Sequence, residues 1–205
     1  MEPRTPENWF EDIYARSEGE GQGVPWATLK PAPLMTRWLD RSWPQGQGVR
    51  CLVVGCGLGD DAAELARRGF DVAAFDVADS AIAQCRERFL DLDVDWRVAE
   101  LFDLPVDWHQ AFDLIVEHRT VQSLPPEWQA RGMAAIADCL APRGRILVVA
   151  DLRPEGQEPS GPPWRLRPEE LDAFLVAGMT RQESQESPVA HDPNRARILQ
   201  VYTRG

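Results

Sequence analysis

The sequence holds no run of 18 or more apolar residues, so no transmembrane helix is expected. Its opening, Met1-Glu2-Pro3-Arg4-Thr5-Pro6, lacks the basic and then apolar pattern of a secretory signal. Positive charge is short: 22 Lys and Arg stand against 33 Asp and Glu, a net of −11. A phosphate backbone rewards a basic face, so no nucleic-acid partner is expected. Cys51, Cys56, Cys85 and Cys139 form no CxxC pair and have no histidine at metal spacing. They are read as reduced thiols of a cytoplasmic protein without a metal site. What remains is ample for one globular core: 205 residues, 43% hydrophobic, with an unusual 17 prolines and 8 tryptophans.

Residues 1–48 are rich in Trp, Pro and Gly and read as an N-terminal cap. Trp9, Phe10, Ile13 and Tyr14 share a helical spacing, and a second helix is expected over Pro31 to Arg41. Ser17 to Val24 reads as a Gly-rich acidic loop ending at Pro25-Trp26. Residues 49–205 follow a regular alternation. Strands are expected over Val49–Gly55, Asp71–Asp76, Val94–Ala99, Phe112–Glu117 and Arg145–Ala150, with a turn at Ala141-Pro142-Arg143-Gly144. Helices are expected over Asp60–Arg68, Asp79–Leu90 and Pro125–Leu140, with Asp79 or Ser80 capping the second. After a helix over Pro168–Ala177, Met179–Glu186 and Arg195–Thr203 form an antiparallel pair joined through Ser187–Asn194. This predicts an α/β fold with a mostly parallel sheet.

The strongest motif is Val53-Val54-Gly55-Cys56-Gly57-Leu58-Gly59-Asp60-Asp61, between a strand and a helix. Glycines there let the backbone turn tightly and approach a ligand. Asp76 closes the next strand, where a carboxylate can accept both hydroxyls of a ribose. A dinucleotide fingerprint needs Gly or Ala where this chain has Asp60, and no Lys-Ser/Thr follows as in a P-loop. Carboxylates at a helix N-terminus compete with a pyrophosphate but tolerate a ligand without phosphate. S-adenosylmethionine is such a ligand, and it is preferred to a nicotinamide dinucleotide. Val77 is placed on the ribose–adenine side. Glu100 can accept from an adenine amino group, with Leu101 or Phe102 against the ring; a solvated turn is the competing reading.

Residues 49–150 resemble the class I S-adenosylmethionine-dependent methyltransferases. The resemblance is carried by the glycine motif, Phe75-Asp76, Ala99-Glu100-Leu101-Phe102, Phe112 to Glu117, and Leu140 to Arg145. It implies a Rossmann-like, doubly wound seven-stranded sheet in the order 3-2-1-4-5-7-6 with strand seven antiparallel. Gly55, Cys56, Gly57, Gly59, Asp60, Asp76, Val77, Glu100, Leu101 and Glu117 are then the expected cofactor contacts. The segment Trp9 to Tyr14, with Pro25-Trp26 and Glu100-Leu101-Phe102, is similar to the thiopurine and halide/thiol methyltransferases. In that group an N-terminal Trp-containing segment folds over the cofactor. Trp9 and Trp26 then either stack near the sulfonium, worth about 0.5–2 kcal/mol, or simply pack the helix on the sheet.

The acceptor side is expected at the carboxyl ends of the strands. Glu117-His118-Arg119-Thr120 leaves the fourth strand there. His118 is a candidate base, with Glu117 orienting it or touching substrate; both are equally read as pocket lining. Glu117 and Asp151 without a third ligand do not make a metal site. The proline-rich Arg153–Pro168 reads as a lid or as a stiff surface loop, with Arg165 or Arg167 facing a substrate carboxylate or nearby acids. The expected partner is a small-molecule methyl acceptor, a thiol or another heteroatom nucleophile. A non-catalytic S-adenosylmethionine or S-adenosylhomocysteine sensor is the alternative. Monomer and homodimer stay equally open.

Overall fold

In the computed structural model, residues 6–17, 21–189 and 192–204 are described. Part of the expected acidic loop (18–20) and His191, read as a loop residue, lie outside them. The seven strands form one sheet in the order β3-β2-β1-β4-β5-β7-β6. Helices lie in the other crossovers, but only a 3-10 turn, Val106–Trp108, lies between the third and fourth strands, and the last strand is antiparallel to both of its neighbours. The chain divides into two compact units, residues 1–104 and 105–205.

The first unit holds α1 (Pro6–Ala15), α2 (Pro33–Ser42), β1 (Arg50–Val54), α3 (Asp60–Arg67), β2 (Asp71–Asp76), α4 (Asp79–Arg88) and β3 (Val94–Val98). β1 after its first residue and β2 between its two terminal aspartates are apolar, and the strands pair in parallel with both faces buried. β2 pairs in parallel with β3. Tyr14, Val24, Leu58, Ala78 and Ala81 form one buried cluster, against which Phe10, Ile13 and Trp26 pack. The N-terminal segment is thereby fastened to the glycine loop and to α4.

The cap of α4 departs from expectation. Neither Asp79 nor Ser80 caps it; its N-cap is Ala78, with no side-chain bond. Glu11 of α1 supplies the cap instead, accepting from the Ser80 backbone N–H at 3.1 Å and from its hydroxyl. A carboxylate at this end is favoured by unpaired N–H groups and the helix dipole. Gln84 adds a second fastening by donating to the Tyr14 carbonyl at 2.9 Å.

The second unit holds β4 (Phe112–His118), α5 (Pro126–Asp138), β5 (Leu140–Asp151), α6 (Ala173–Val176), β6 (Met179–Val189) and β7 (Asp192–Arg204). β4 and β5 pair in parallel, and β7 runs antiparallel to both β5 and β6. β5 begins at Leu140, five residues before the expected Arg145, and so contains the expected turn. The pairing shifts register between Phe112 and Leu114, while Arg143 takes a positive φ of 66°. A bulge of this kind accommodates turn-type residues without ending a strand. The expected helix over Pro168–Ala177 is a 3-10 turn, Pro168–Asp172, followed by the short α6. Among the described residues no helix is long and apolar enough to cross a membrane.

Candidate active site

The loop between β1 and α3 is shaped by its glycines. Gly57 has φ +54°, and a Cβ there would lie 2.9 Å from the Tyr14 hydroxyl. Gly59 has φ +82°, and a Cβ there would meet the Trp96 ring at 2.7 Å and the Cys85 sulfur at 2.8 Å. Both positions combine left-handed backbone with close approach, which only glycine meets without strain. Gly57 leaves room for Tyr14, and Gly59 lets α3 start against α4 and β3.

Asp76 ties this loop to the end of β2. Its carboxylate accepts from the Gly57 N–H at 2.9 Å and from the Ala78 N–H at 3.0 Å. The Cys56 N–H reaches Phe75 O at 2.8 Å beside it. Burial raises the Asp76 pKa, the N–H groups of Ala78, Gly57 and Val77 oppose the rise, and the nearby Glu11 charge adds to it. A carboxylate has about four lone-pair sites, so Asp76 keeps acceptor capacity for ribose hydroxyls. Those donors would also stabilise its charge. Glycine loop and Asp76 together therefore fit S-adenosylmethionine.

Asp60 and Asp61 are engaged by their own chain. Arg88 of α4 grips Asp60 through two nitrogens, at 2.8 and 3.2 Å. Asp61 accepts from the Ala32 N–H at 2.6 Å. Asp60 thus fixes the loop exit, and its charge is offset by Arg88. The Cys56 thiol is pushed well up, first by burial and then by the neighbouring Cys85, so it stays protonated at neutral pH.

Val77 is half-buried and Leu101 is 7% exposed, while Glu100 is half-buried. The Glu100 carboxylate faces its own turn, at 3.4 Å from the Phe102 N–H. The turn is fixed to the site by the Ala99 N–H, which donates to Asp76 O at 3.0 Å.

Trp9 and Trp26 belong to an aromatic cluster over the same loop. Their ring centres lie 5.5 Å apart, and Trp26 lies 5.8 Å from Phe10 and 5.9 Å from Tyr14. The Trp26 indole N–H donates to the Tyr14 hydroxyl at 2.9 Å. Tyr14 is the residue sequence reasoning missed here. It reads as one member of an apolar helix face, and nothing local marks its hydroxyl as the group lying on Gly57. Its pKa is raised well above the ordinary value, by burial and then by the Asp76 charge.

In the second unit, Glu117 is fully buried near the end of β4. Its Oε1 accepts from the Thr120 N–H at 2.6 Å and the Val121 N–H at 2.9 Å. Its Oε2 is buried with no hydrogen-bond partner among the described residues. Burial pushes its pKa up to about 7, against the pull of the Val121 N–H, His118, the Thr120 N–H and Arg119. The folded chain therefore holds this proton more tightly than the unfolded chain. That contribution to stability is full below the ordinary glutamate value and is lost as pH rises through about 7. Glu117→Gln is expected to remove this slope, worth up to about 3 kcal/mol. Urea unfolding at about pH 5 and about pH 8 measures it, and equal slopes in variant and wild type would contradict it.

His118 is half-buried beside Glu117. Arg119 follows in left-handed backbone, φ +65°, held by its N–H on Val149 O at 3.0 Å. Such a conformation at a non-glycine residue costs about 1–3 kcal/mol and often marks a functional site. Its guanidinium lies 3.7 Å from Asp151, which ends β5. Arg197 meets the same carboxylate at 2.8 Å and Arg195 at 3.5 Å. Burial alone would raise the Asp151 pKa, but the Arg197 hydrogen bond and the charges of Arg119, Arg197 and Arg195 bring it below the ordinary range. Arg195 and Arg197 were not singled out from the sequence, because only the β5–β7 pairing brings them to Asp151.

The two ends of the loop after β5 are tied to each other, while residues 155–163 between them are exposed. Arg153 donates to Arg165 O at 2.8 Å and forms an ion pair with Glu170 at 2.5 Å. The Arg167 N–H donates to Glu170 at 2.7 Å. Among the described residues no three His, Cys, Asp or Glu side chains gather as a metal site.

Comparison with known proteins identifies the family. The family model "Thiopurine S-methyltransferase (TPMT)" matches residues 16–202. Thiocyanate methyltransferase 1 of Arabidopsis thaliana is 28% identical over 185 residues, 83% of this chain and 75% of that protein. Probable thiol methyltransferase 2 of the same plant is 25% identical over 160 residues, 77% of this chain and 69% of that protein. Magnesium protoporphyrin IX methyltransferase of Synechocystis, solved with bound S-adenosylmethionine, shares the fold at a TM-score of 0.74, with 14% identity over 100% of both chains. The chain belongs to the thiopurine S-methyltransferase family and is an S-adenosylmethionine-dependent methyltransferase of class I.

Proposed function

We propose that this enzyme methylates the sulfur of a small, anionic acceptor such as a thiolate or thiocyanate. The cofactor supplies an electrophilic methyl group on a sulfonium. In-line displacement forms a bond from the acceptor sulfur to that carbon while the sulfonium carbon–sulfur bond breaks. The protein's task is alignment, exclusion of water and, for a protonated acceptor, removal of a proton.

The carrying observation is the arginine cluster at Asp151. Arg119, Arg195 and Arg197 surround one buried carboxylate. Asp192, 3.9 Å from Arg195, offsets part of the excess. Three arginines thus stand around one buried carboxylate in a chain whose formal net charge is −11. Such a local field favours an anion, and a thiolate or thiocyanate needs no base. The printed names of the relatives, thiocyanate and thiol methyltransferases, support the same acceptor class. For an acceptor that arrives protonated, Glu117 is the group we assign to take the proton, through its unpartnered Oε2. His118 shares that turn and is assigned to line the site.

The cofactor side is assigned to Gly55, Cys56, Gly57, Gly59, Asp76, Val77, Glu100 and Leu101, with Trp9 and Trp26 covering it. Asp60 acts by holding the loop through Arg88. Methyl transfer from labelled cofactor to thiocyanate, an aromatic thiolate, a phenol and an amine tests the reading. Turnover is expected on the two sulfur anions, with KM rising as salt screens the arginines. Turnover on phenol or amine with none on sulfur would overturn it.

A further inference from the structure

Gln122 lies in a 3-10 turn, Val121–Ser123, that follows β4, and it is 1% exposed. Its side-chain Oε1 accepts from the Asp151 N–H at 2.7 Å. Its backbone carbonyl accepts from the Trp164 N–H at 2.6 Å. The residue thus joins the post-β4 turn, the end of β5 and the proline-rich loop. Its orientation is fixed chemically. The Asp151 N–H can only donate, so the amide oxygen must face it and the amide nitrogen must face the other way.

That nitrogen, Nε2, is buried with no hydrogen-bond partner among the described residues. Burying an amide donor unpaired is costly, so such a group is usually matched by a partner. The same short segment carries Glu117 Oε2, also buried and without a hydrogen-bond partner among the described residues. Two orphaned polar atoms therefore come from one segment at the carboxyl end of a strand, where open α/β sheets bind ligands.

We propose that Gln122 is a specificity-determining residue for the methyl acceptor, its Nε2 donating to a heteroatom other than the sulfur that is methylated. This rests on the sulfur-acceptor reading above. The displacement uses a lone pair of the attacking sulfur, and a donor placed on that sulfur would stabilise the ground state and slow the step. A donor on a neighbouring nitrogen or oxygen orients the acceptor and leaves the attacking pair free. Acceptors such as thiocyanate, or an aromatic thiolate with a ring nitrogen beside the sulfur, satisfy Nε2. Hydrosulfide has no second heteroatom and does not.

The test compares thiocyanate with hydrosulfide as acceptors for wild type, Gln122→Glu and Gln122→Met. Gln122→Glu keeps an oxygen for the Asp151 N–H, and Gln122→Met removes the donor without adding charge. The ratio of kcat/KM for thiocyanate to that for hydrosulfide is expected to fall about tenfold in both variants, as for one lost hydrogen bond. A structural role lowers both acceptors together, and the ratio is independent of how much variant folds. An unchanged ratio overturns the inference and leaves the sulfur reading intact. A wild type that methylates neither of these nor an aromatic thiolate overturns both, and for one that methylates only aromatic thiolates the same ratio is read between thiolates with and without a ring nitrogen beside the sulfur.

Discussion

Asp76→Ala is expected to weaken S-adenosylmethionine binding by roughly ten- to a hundredfold, the loss of a charged hydrogen-bond partner at about 1.5–3 kcal/mol. The effect has two parts. The ribose loses its acceptor, and the glycine loop loses its tie to β2. With the carboxylate gone, the Gly57 and Ala78 N–H groups, now bonded at 2.9 and 3.0 Å, have no partner. Asp76→Asn separates the parts. An amide oxygen can still accept one N–H, but its nitrogen turns a donor toward the other. The Asn variant should therefore fall between Ala and wild type in thermal stability while binding the cofactor nearly as poorly as Ala. Titration calorimetry and ligand-dependent thermal shift measure these quantities. Unchanged affinity in a folded Ala variant would mean that Asp76 does not hold the cofactor.

Gly57→Ala is expected to be nearly as damaging, and Tyr14→Phe is expected to rescue part of it. The new Cβ would lie 2.9 Å from the Tyr14 hydroxyl, while the next ring atom is 3.8 Å away, an ordinary contact. Removing the hydroxyl therefore relieves the clash but leaves the cost of a side chain at φ +54°, about 1–2 kcal/mol. Tyr14→Phe alone loses the bond from the Trp26 indole at 2.9 Å. A double-mutant cycle should accordingly show favourable coupling of about 1 kcal/mol or more in stability and cofactor affinity. Strict additivity would show that Tyr14 does not rest on the loop. The cycle tests the N-terminal helix directly, because Tyr14 and Gly57 meet only when α1 is docked.

What the sequence made legible was what neighbouring residues decide. β2 has the expected bounds, Asp71–Asp76, because an apolar run between a glycine and a helix start leaves little choice. The glycine loop, Asp76 and Glu117 were readable for the same reason, each closing a strand or opening a helix. The start of β5 was not, since Ala141-Pro142-Arg143-Gly144 has turn chemistry and the ladder with β4 passes it as a bulge, from Leu140 opposite Phe112 to Arg145 opposite Leu114. The partners that fix the site come from far along the chain. Glu11 caps a helix 69 residues away, Arg197 meets Asp151 across 46 residues, and Gln122 reaches Asp151 across 29. No local period or spacing encodes these meetings. The carboxylates of Asp60 and Asp61 show the converse. Their charges discouraged a phosphate ligand in the sequence, yet Arg88 and the Ala32 N–H engage them in the fold.

We propose that this family member delivers its methyl group to an anionic sulfur. The most direct measurement incubates the purified chain with deuteromethyl-labelled S-adenosylmethionine and an equimolar mixture of thiocyanate, an aromatic thiolate, a phenol and an amine, and identifies products by mass spectrometry. Label is expected in the S-methyl products, in amounts that fall as salt is raised. Label in the oxygen or nitrogen products, with none on sulfur, would contradict the account.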